Sequence, residues 1–428
     1  MELIVDLHIH SHYSRATSPE MNIASLYRWG KMKGINVIGT GDFTHPKWFS
    51  ELSEKLEPAE NGLFKLKSKY AKEEDKKLSA NFKKKLIRFI LTVEISNIYS
   101  KNGKVRRVHN LIIVPNFEAA SEVNFKLTQI GNLHSDGRPI LGLDSKELLR
   151  ISLEADDRNL FIPAHIWTPW FSIFGSKSGF DSIEEAFEEL SPHIYAIESG
   201  LSSDPFMNWR LTQLTGRTIV SNSDAHSPPK LGREANLLNC ELSYDSIIDA
   251  IKKGDSRFLG TIEFFPEEGK YHFDGHAKCD VSLTPTESKK LKNICPKCGR
   301  PLVIGVMHRV DDLADRPESF KPKNHKSVEY IVPLNEIVAE TFSMRTQSKK
   351  VKEEYERLLF EFDDEFSFLR KITESDIKAS GRIDLSFAIK KMREGDIYIK
   401  PGYDGVYGIV KIFKPGERTQ NAGQLSFI

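Results

Sequence analysis

The chain reads as an α/β fold in which parallel βα units form a barrel. A small metal-binding module and a mostly helical C-terminal region follow. Three observations predict this. Short apolar runs alternate with helical stretches through the first 265 residues, the pattern of βα units. Those runs begin or end in His, Asp or Glu, and βα barrels carry their chemistry at strand ends. Beyond residue 275, paired metal-ligand spacings give way to apolar residues at helical spacing.

In chain order, Asp6-Leu-His8-Ile-His10 opens the series. Residues two apart on an extended segment point the same way, so His8 and His10 can grip one metal. Val37-Ile-Gly-Thr-Gly-Asp42-Phe-Thr-His45 is a buried strand ending in a carboxylate and a histidine. Phe89 to Glu94 ends in a carboxylate, His109 to Pro115 opens with a histidine, and Phe161 to His165 closes with one. Tyr195-Ala-Ile-Glu198 and Ile219-Val-Ser-Asn-Ser-Asp224 end in carboxylates, and Asp224-Ala-His226 repeats the two-apart spacing. Any one of these, taken alone, is equally a half-buried strand with a satisfied polar residue. An unpaired buried carboxylate is too costly to keep without a partner, so the whole set predicts a polynuclear metal site.

These motifs resemble the PHP (polymerase and histidinol phosphatase) family. Its opening H-x-H corresponds to His8 and His10, its bridging glutamate to Glu94, its mid-chain histidines to His109 and His165, and its closing D-x-H to Asp224 and His226. Two departures stand out. Asp42 takes the place of the histidine in the family's T-D-H, with His45 the alternative ligand, and Arg15 lies where the family has an early acidic residue. The resemblance covers residues 1–265. It implies a PHP-type distorted βα barrel that hydrolyses phosphoesters at a centre of two or three divalent ions. Those ions would be held by His8, His10, Asp42, Glu94, His109, His165, Asp224 and His226. Zinc, manganese, iron or magnesium would serve; mixed imidazole and carboxylate donors suit the first three.

At 428 residues the chain has room for two or three domains. Its net charge of +1 announces no global field for nucleic acid. Local charge differs: ten basic and three acidic residues lie between Lys65 and Arg88, and Lys101, Lys104, Arg106 and Arg107 follow. They form either a solvated helix and hairpin or a phosphate-backbone contact. No membrane span and no signal peptide are expected, since Glu2 and Asp6 interrupt any early apolar run. Four cysteines do not make a disulfide scaffold. A cytoplasmic, nucleoid-associated protein is expected.

His276-Ala-Lys-Cys279 and, after fifteen residues, Cys295-Pro-Lys-Cys298-Gly supply four ligands for one tetrahedral, structural zinc. Gly299 lets the backbone turn its amides toward the thiolates. His272 is spaced too far from Cys279 for a standard knuckle, and Cys240 reads as a core residue. Domain boundaries are placed at 1–265 for the barrel, 266–305 for the zinc module and 306–428 for the helical, DNA-binding tail. Within that tail Val351, Tyr355, Leu358, Leu359 and Phe362 share a helix face, and Ile383 to Met392 forms a second helix before Gly395. Asp396–Lys400 and Gly408–Phe413 read as a hairpin.

The full order of barrel, zinc module and tail with Pro401-Gly-Tyr-Asp-Gly-Val-Tyr-Gly408 resembles the endonuclease Q family. Gly39-Thr-Gly-Asp-Phe-Thr-His-Pro46, His308-Arg-Val and Leu313-Ala-Asp-Arg316 add to the likeness. It implies metal-dependent cleavage of DNA on the 5′ side of deaminated bases (hypoxanthine, uracil, xanthine) and abasic sites, with Glu94, Asp224 and His226 catalytic. Reading a damaged base requires taking it out of the stack. Trp167, Trp170 and Phe171, just after His165, are either a base platform or a packed lid. Glu198 and Ser199 either read a base edge or support the site. Gln424 to Ile428 resembles a truncated sliding-clamp peptide, though a frayed terminus has the same composition. A phosphatase acting on a small phosphomonoester and a non-catalytic DNA-binding or clamp-associated module are the competing functions. The zinc module and basic segments weigh against the first, and the nearly full ligand set against the second.

Overall fold

A computed structural model describes residues 1–417. It divides into two compact units: Met1–Glu263 with Ile304–Glu329, and Phe264–Val303 with the chain from Tyr330 onward. The first is mixed α/β around a sheet, and the second is mostly helical after its metal-ligand module.

The first strand, Glu2–Asp6, is buried on both faces after Glu2, which is why it reads as a continuous apolar run rather than an alternating one. It pairs in parallel with Val37–Gly39, which pairs in parallel with the long strand Arg88–Lys101. A helix, Ile23–Lys33, makes the first crossover. Asn22 caps it by accepting from the Ser25 amide, and Gly34 ends it in the left-handed region. On the other side of the first strand lie Ala235–Asn239 and Phe258–Glu263, both antiparallel to their neighbours.

The expectation of uniformly parallel units fails at Arg88–Lys101. This strand returns at once as Lys104–Val114 in an antiparallel hairpin. The turn is Asn102-Gly103, with φ 53° and 70°. That dipeptide adopts the primed turn that joins two twisted strands with no crossover. Leu160–Pro163 then pairs antiparallel with the second hairpin strand.

Main-chain bonds continue around the site. Ile166 donates to the Glu198 carbonyl, Ala196–Glu198 pairs in parallel with Thr218–Val220, and Ile9 bridges in parallel to Ala225. The path thus returns to the end of the first strand. Leu3, Val5, Val37, Ile90, Leu111, Ile162, Ala196 and Val220, from seven strands along it, share one buried core. Cys240 is part of that core.

In the second unit Lys349–Phe362 buries Val351, Tyr355, Leu358 and Leu359, as its periodicity requires. Ile383–Glu394 ends at Gly395, φ 69°. Tyr398–Lys400 and Ile409–Lys411 form the expected antiparallel pair. Among the described residues no helix is long and apolar enough to cross a membrane. The peptide Gln424–Ile428 lies outside the described residues.

Candidate metal centre and its surroundings

Three groups of ligand-type side chains converge in the first unit: His8, His10 and Glu94; Glu94, His109 and His165; and His10, Asp224 and His226. Within each, one donor atom per residue lies within 4.8 Å of the others. Glu94 joins the first two groups. Its Oε1 is 2.7 Å from His109 Nδ1 and 2.9 Å from His165 Nε2, and its Oε2 is 3.3 Å from His10 Nε2. His10 Nε2 also lies 3.0 Å from Asp224 Oδ1.

Each histidine is held from behind. His8 Nδ1 meets both oxygens of Glu198 at 3.0 and 3.1 Å. His10 Nδ1 meets Asp42 Oδ1 at 3.1 Å. His109 Nε2 meets Ser96 Oγ at 3.1 Å, and His165 Nδ1 meets Thr168 Oγ1 at 3.3 Å. His226 Nδ1 meets the Asp224 carbonyl at 2.9 Å. The outer contact selects which nitrogen faces inward, the usual arrangement of metal-bound imidazole.

The inward atoms are left with little else to do. His8 Nε2, His10 Nε2 and Asp224 Oδ1 are buried and make no hydrogen bond, a costly state unless something occupies the space between them. This donor set fits divalent cations. Burial holds His109 at about 4, whereas at His8, His10 and His165 burial is outweighed by the neighbouring carboxylates, which carry these rings above the ordinary imidazole range. Burial opposes ionisation of Glu94 and Asp224, yet the surrounding histidines, joined at Glu94 by Arg138, pull both carboxyls well below their ordinary range.

Asp42, expected as a ligand, is in none of these groups. Its Oδ2 accepts from the Ser11 amide (2.7 Å), Ser11 Oγ (2.7 Å) and Ser14 Oγ (2.8 Å), and its Oδ1 faces His10. Its Oδ2 is taken by three donors, and its Oδ1 orients the His10 ring. His45, the alternative, is not in them either; its ring stacks on Tyr13 at 4.3 Å. Glu198 is fully buried and also accepts from Asn222 Nδ2 and the His165 amide, which fits support of the site over reading a base. Ser199 is buried too, its hydroxyl on the Val220 carbonyl and Glu263.

The segment after His165 splits. Trp167 is 1% exposed, packs on Phe174 and donates its indole N–H to Asn208, so it anchors the loop from inside and offers no face to a base. Trp170 is 39% exposed. Phe171 lies over His109, ring centroids 4.7 Å apart, and its carbonyl accepts the His109 amide. Asp42, His165, Phe171 and Asp224 all take positive φ, a concentration of strained backbone typical of working sites.

Part of the basic segment is held in ion pairs: Lys65 meets Glu57, Lys77 meets Glu74, Arg88 meets Glu60, Lys101 meets Glu188 and Arg106 meets Glu185. For these five side chains the solvated reading is favoured. Arg138 escaped sequence reasoning: its Nη1 donates to Glu94 Oε2 at 2.9 Å. No motif marks it, because it sits in a loop among residues 132–139 with no apolar run to flag it.

In the second unit His276, Cys279, Cys295 and Cys298 bring their donor atoms within 4.8 Å of one another. Burial pushes the Cys295 thiol up, but the Lys297 and Cys298 amides outweigh it and hold it at about 6. Gly299 takes the left-handed φ of 70° that this turn requires. The surrounding core is only Val281, Cys295 and Leu302, with Cys279 and Leu283 against it. His272 is outside the group, 5% exposed.

Residues 333–396 match the family model of the MJ0043 C-terminal domain. The chain is 30% identical over 282 residues to the uncharacterized protein MJ0043 of Methanocaldococcus jannaschii, 62% of this chain and 34% of that protein. It thus spans about a third of MJ0043. It is 28% identical over 312 residues to YqxK of Bacillus subtilis, covering 71% of this chain and 74% of that one. Among solved structures, the lesion-specific endonuclease PfuEndoQ of Pyrococcus furiosus aligns with a TM-score of 0.82 at 33% identity, over 96% of this chain and 95% of that one. Endonuclease Q in complex with a 27-mer duplex, an abasic lesion at its active site, aligns with a TM-score of 0.81 at 33% identity, over 97% of both chains. Similarity of this extent, running through both units and at an identity that exceeds likeness of fold alone, makes the chain a member of the endonuclease Q family.

Proposed function

We propose that the chain is a metal-dependent DNA-repair endonuclease, cutting on the 5′ side of deaminated bases and abasic sites. The observation that carries this is the inward-facing ligand set around Glu94, every histidine of it fixed from behind. The alignment with an endonuclease held on an abasic duplex supports the substrate class. In this reading the strand path of the first unit is the PHP-type distorted barrel, with the zinc module and helical tail as further domains.

His8, His10, Glu94, His109, His165, Asp224 and His226 would hold two or three divalent ions. Bound there, such ions supply a hydroxide near neutral pH and offset charge on the phosphate oxygens. Glu94, a carboxylate shared by two of the ligand groups, would help to hold more than one of the ions. Glu198 and Asp42 keep His8 and His10 in the tautomer that presents Nε2. Trp170, exposed, and Phe171, packed on His109, would offer an aromatic surface to a base. His276, Cys279, Cys295 and Cys298 would bind one structural zinc, with no open position for chemistry.

The test is a gel assay with end-labelled duplexes carrying hypoxanthine, uracil, an abasic site or no lesion, each with several divalent metals. A single 5′-side nick at lesions, abolished by chelation, is the expected result. Equal cutting of the undamaged duplex would reduce the activity to a general nuclease. Turnover of a nitrophenyl phosphate with no nicking would point to a small-molecule phosphatase.

A further inference from the structure

Arg138 is placed by a loop that leaves it little freedom. The Gly137 amide donates to the Tyr13 carbonyl and the Ser96 amide to the Pro139 carbonyl, so both neighbours of Arg138 are pinned to site-bearing segments. Asp136 Oδ1 accepts from the amides of Arg15 and Arg138, and its Oδ2 pairs with Arg15 Nε at 3.2 Å. A Cβ on Gly137 would stand 2.3 Å from Asp42 Oδ2 and 2.4 Å from Ser14 Oγ, so the loop lies directly on the residues behind His10.

The guanidinium is anchored at one corner only. Nη1 donates to Glu94 Oε2, while Nε and Nη2 have no protein partner among the described residues. The side chain is 28% exposed, close to Asp224 at 27% and His226 at 31%, whereas His8, His10 and Glu94 are at 0%. The accessible edge of the site is therefore Arg138, Asp224 and His226. Beside the carboxylates of Glu94 and Asp224, Arg138 thus keeps two donors of a planar, permanently charged fork uncommitted, a geometry that matches two phosphate oxygens.

We propose that Arg138 is a catalytic residue that binds the non-bridging oxygens of the scissile phosphate through Nε and Nη2, with Glu94 holding its other corner. This rests on the endonuclease reading above. Charge spreads over those oxygens as the phosphodiester is attacked, and a fixed guanidinium already in place stabilises it without reorganising. Arg138 keeps its proton throughout.

The experiment uses the full-length, metal-loaded chain as wild type, Arg138→Ala and Arg138→Lys. Metal content is measured by mass spectrometry, inorganic phosphate binding by calorimetry, and cleavage of an abasic duplex under single turnover. Both variants should retain the wild-type metal content. Arg138→Ala should bind inorganic phosphate about tenfold more weakly and cleave about 100-fold more slowly. Arg138→Lys should recover only part, because an ammonium is a point charge without the fork. Phosphate binding and cleavage within about threefold of wild type in Arg138→Ala would overturn the proposal. So would loss of metal from both variants, which would make Arg138 a support for Glu94. If the wild type cuts no lesion duplex yet Arg138→Ala still weakens phosphate binding, the endonuclease reading fails and the phosphate site stands.

Discussion

A histidine can hold a metal through either ring nitrogen, and the partner of the other nitrogen decides which. At His8 that partner is a carboxylate with no exposure, bonded also to Asn222 and the His165 amide. Losing such an outer partner commonly costs about 10- to 100-fold in metal affinity or activity. Glu198→Ala should therefore weaken metal retention in chelator competition by that order, while Asp224→Ala or His8→Ala should abolish cleavage with the fold intact. Full activity in either of the latter would remove the site from consideration. These roles were only half legible in the sequence. Spacing places a Cα, but not the direction of a carboxylate, and it was the hydroxyls of Ser11 and Ser14 that decided Asp42. A second residue-scale prediction concerns His272. Burial holds its ring at about 4, so it stays neutral in the folded chain while the unfolded chain protonates below about 6.5. The stability it permits is present above that pH and lost as pH falls toward 4. His272→Phe should remove that loss, about 2 kcal/mol between pH 7 and pH 5, seen as a shallower pH dependence of denaturant midpoints than wild type shows.

Elements were legible where a period or a cap defined them. The Lys349–Phe362 and Ile383–Glu394 helices and the final strand pair follow from apolar spacing and Gly395. The Asn102-Gly103 hairpin bears out the hairpin reading of the basic residues Lys101 to Arg107, though not the placing of its strands in a path of parallel units. The loop from His165 to Phe174 was not legible, because four aromatics in the eight residues from Trp167 to Phe174 do not say which one faces inward. Its two tryptophans should now separate. Trp167→Ala empties a filled core position and should cost about 3–5 kcal/mol of stability by chemical denaturation. Trp170→Ala should leave stability nearly unchanged and weaken lesion-duplex binding by about 1–3 kcal/mol. The reverse assignment of the two effects would refute this account of the loop. In the second unit, a core as small as the one around Val281 and Leu302 has little to stand on without a metal. A Cys295→Ser, Cys298→Ser double variant should lose one zinc per chain by elemental analysis and melt earlier, since structural zinc contributes about 10 kcal/mol or more in isolated fingers. An unchanged zinc count would rule the site out.

For the molecule as a whole, chemistry and selectivity have different sources. Under the proposed function the ligand set would hydrolyse phosphoesters wherever a phosphate reaches it, and nothing in it would distinguish damaged from intact DNA. Selectivity must come from the energy needed to bring a nucleotide into position. Extruding a base costs a few kcal/mol of stacking and pairing, least where pairing is already lost. An abasic site has no base to unstack, uracil opposite guanine is mispaired, and uracil opposite adenine keeps a normal pair. If extrusion limits the rate, single-turnover nicking should fall in that order, and the mispaired site should exceed the paired one by roughly tenfold for each 1.4 kcal/mol of pairing lost. Placing the same lesions in single strands removes the pairing term, so the two uracil contexts should then be cut at equal rates. A preference for mispaired uracil that persists in single strands would show that the pocket reads the base edge directly. Cutting of undamaged duplex at the rate of the lesion duplexes would leave the metal centre in place and withdraw the lesion-specific reading altogether.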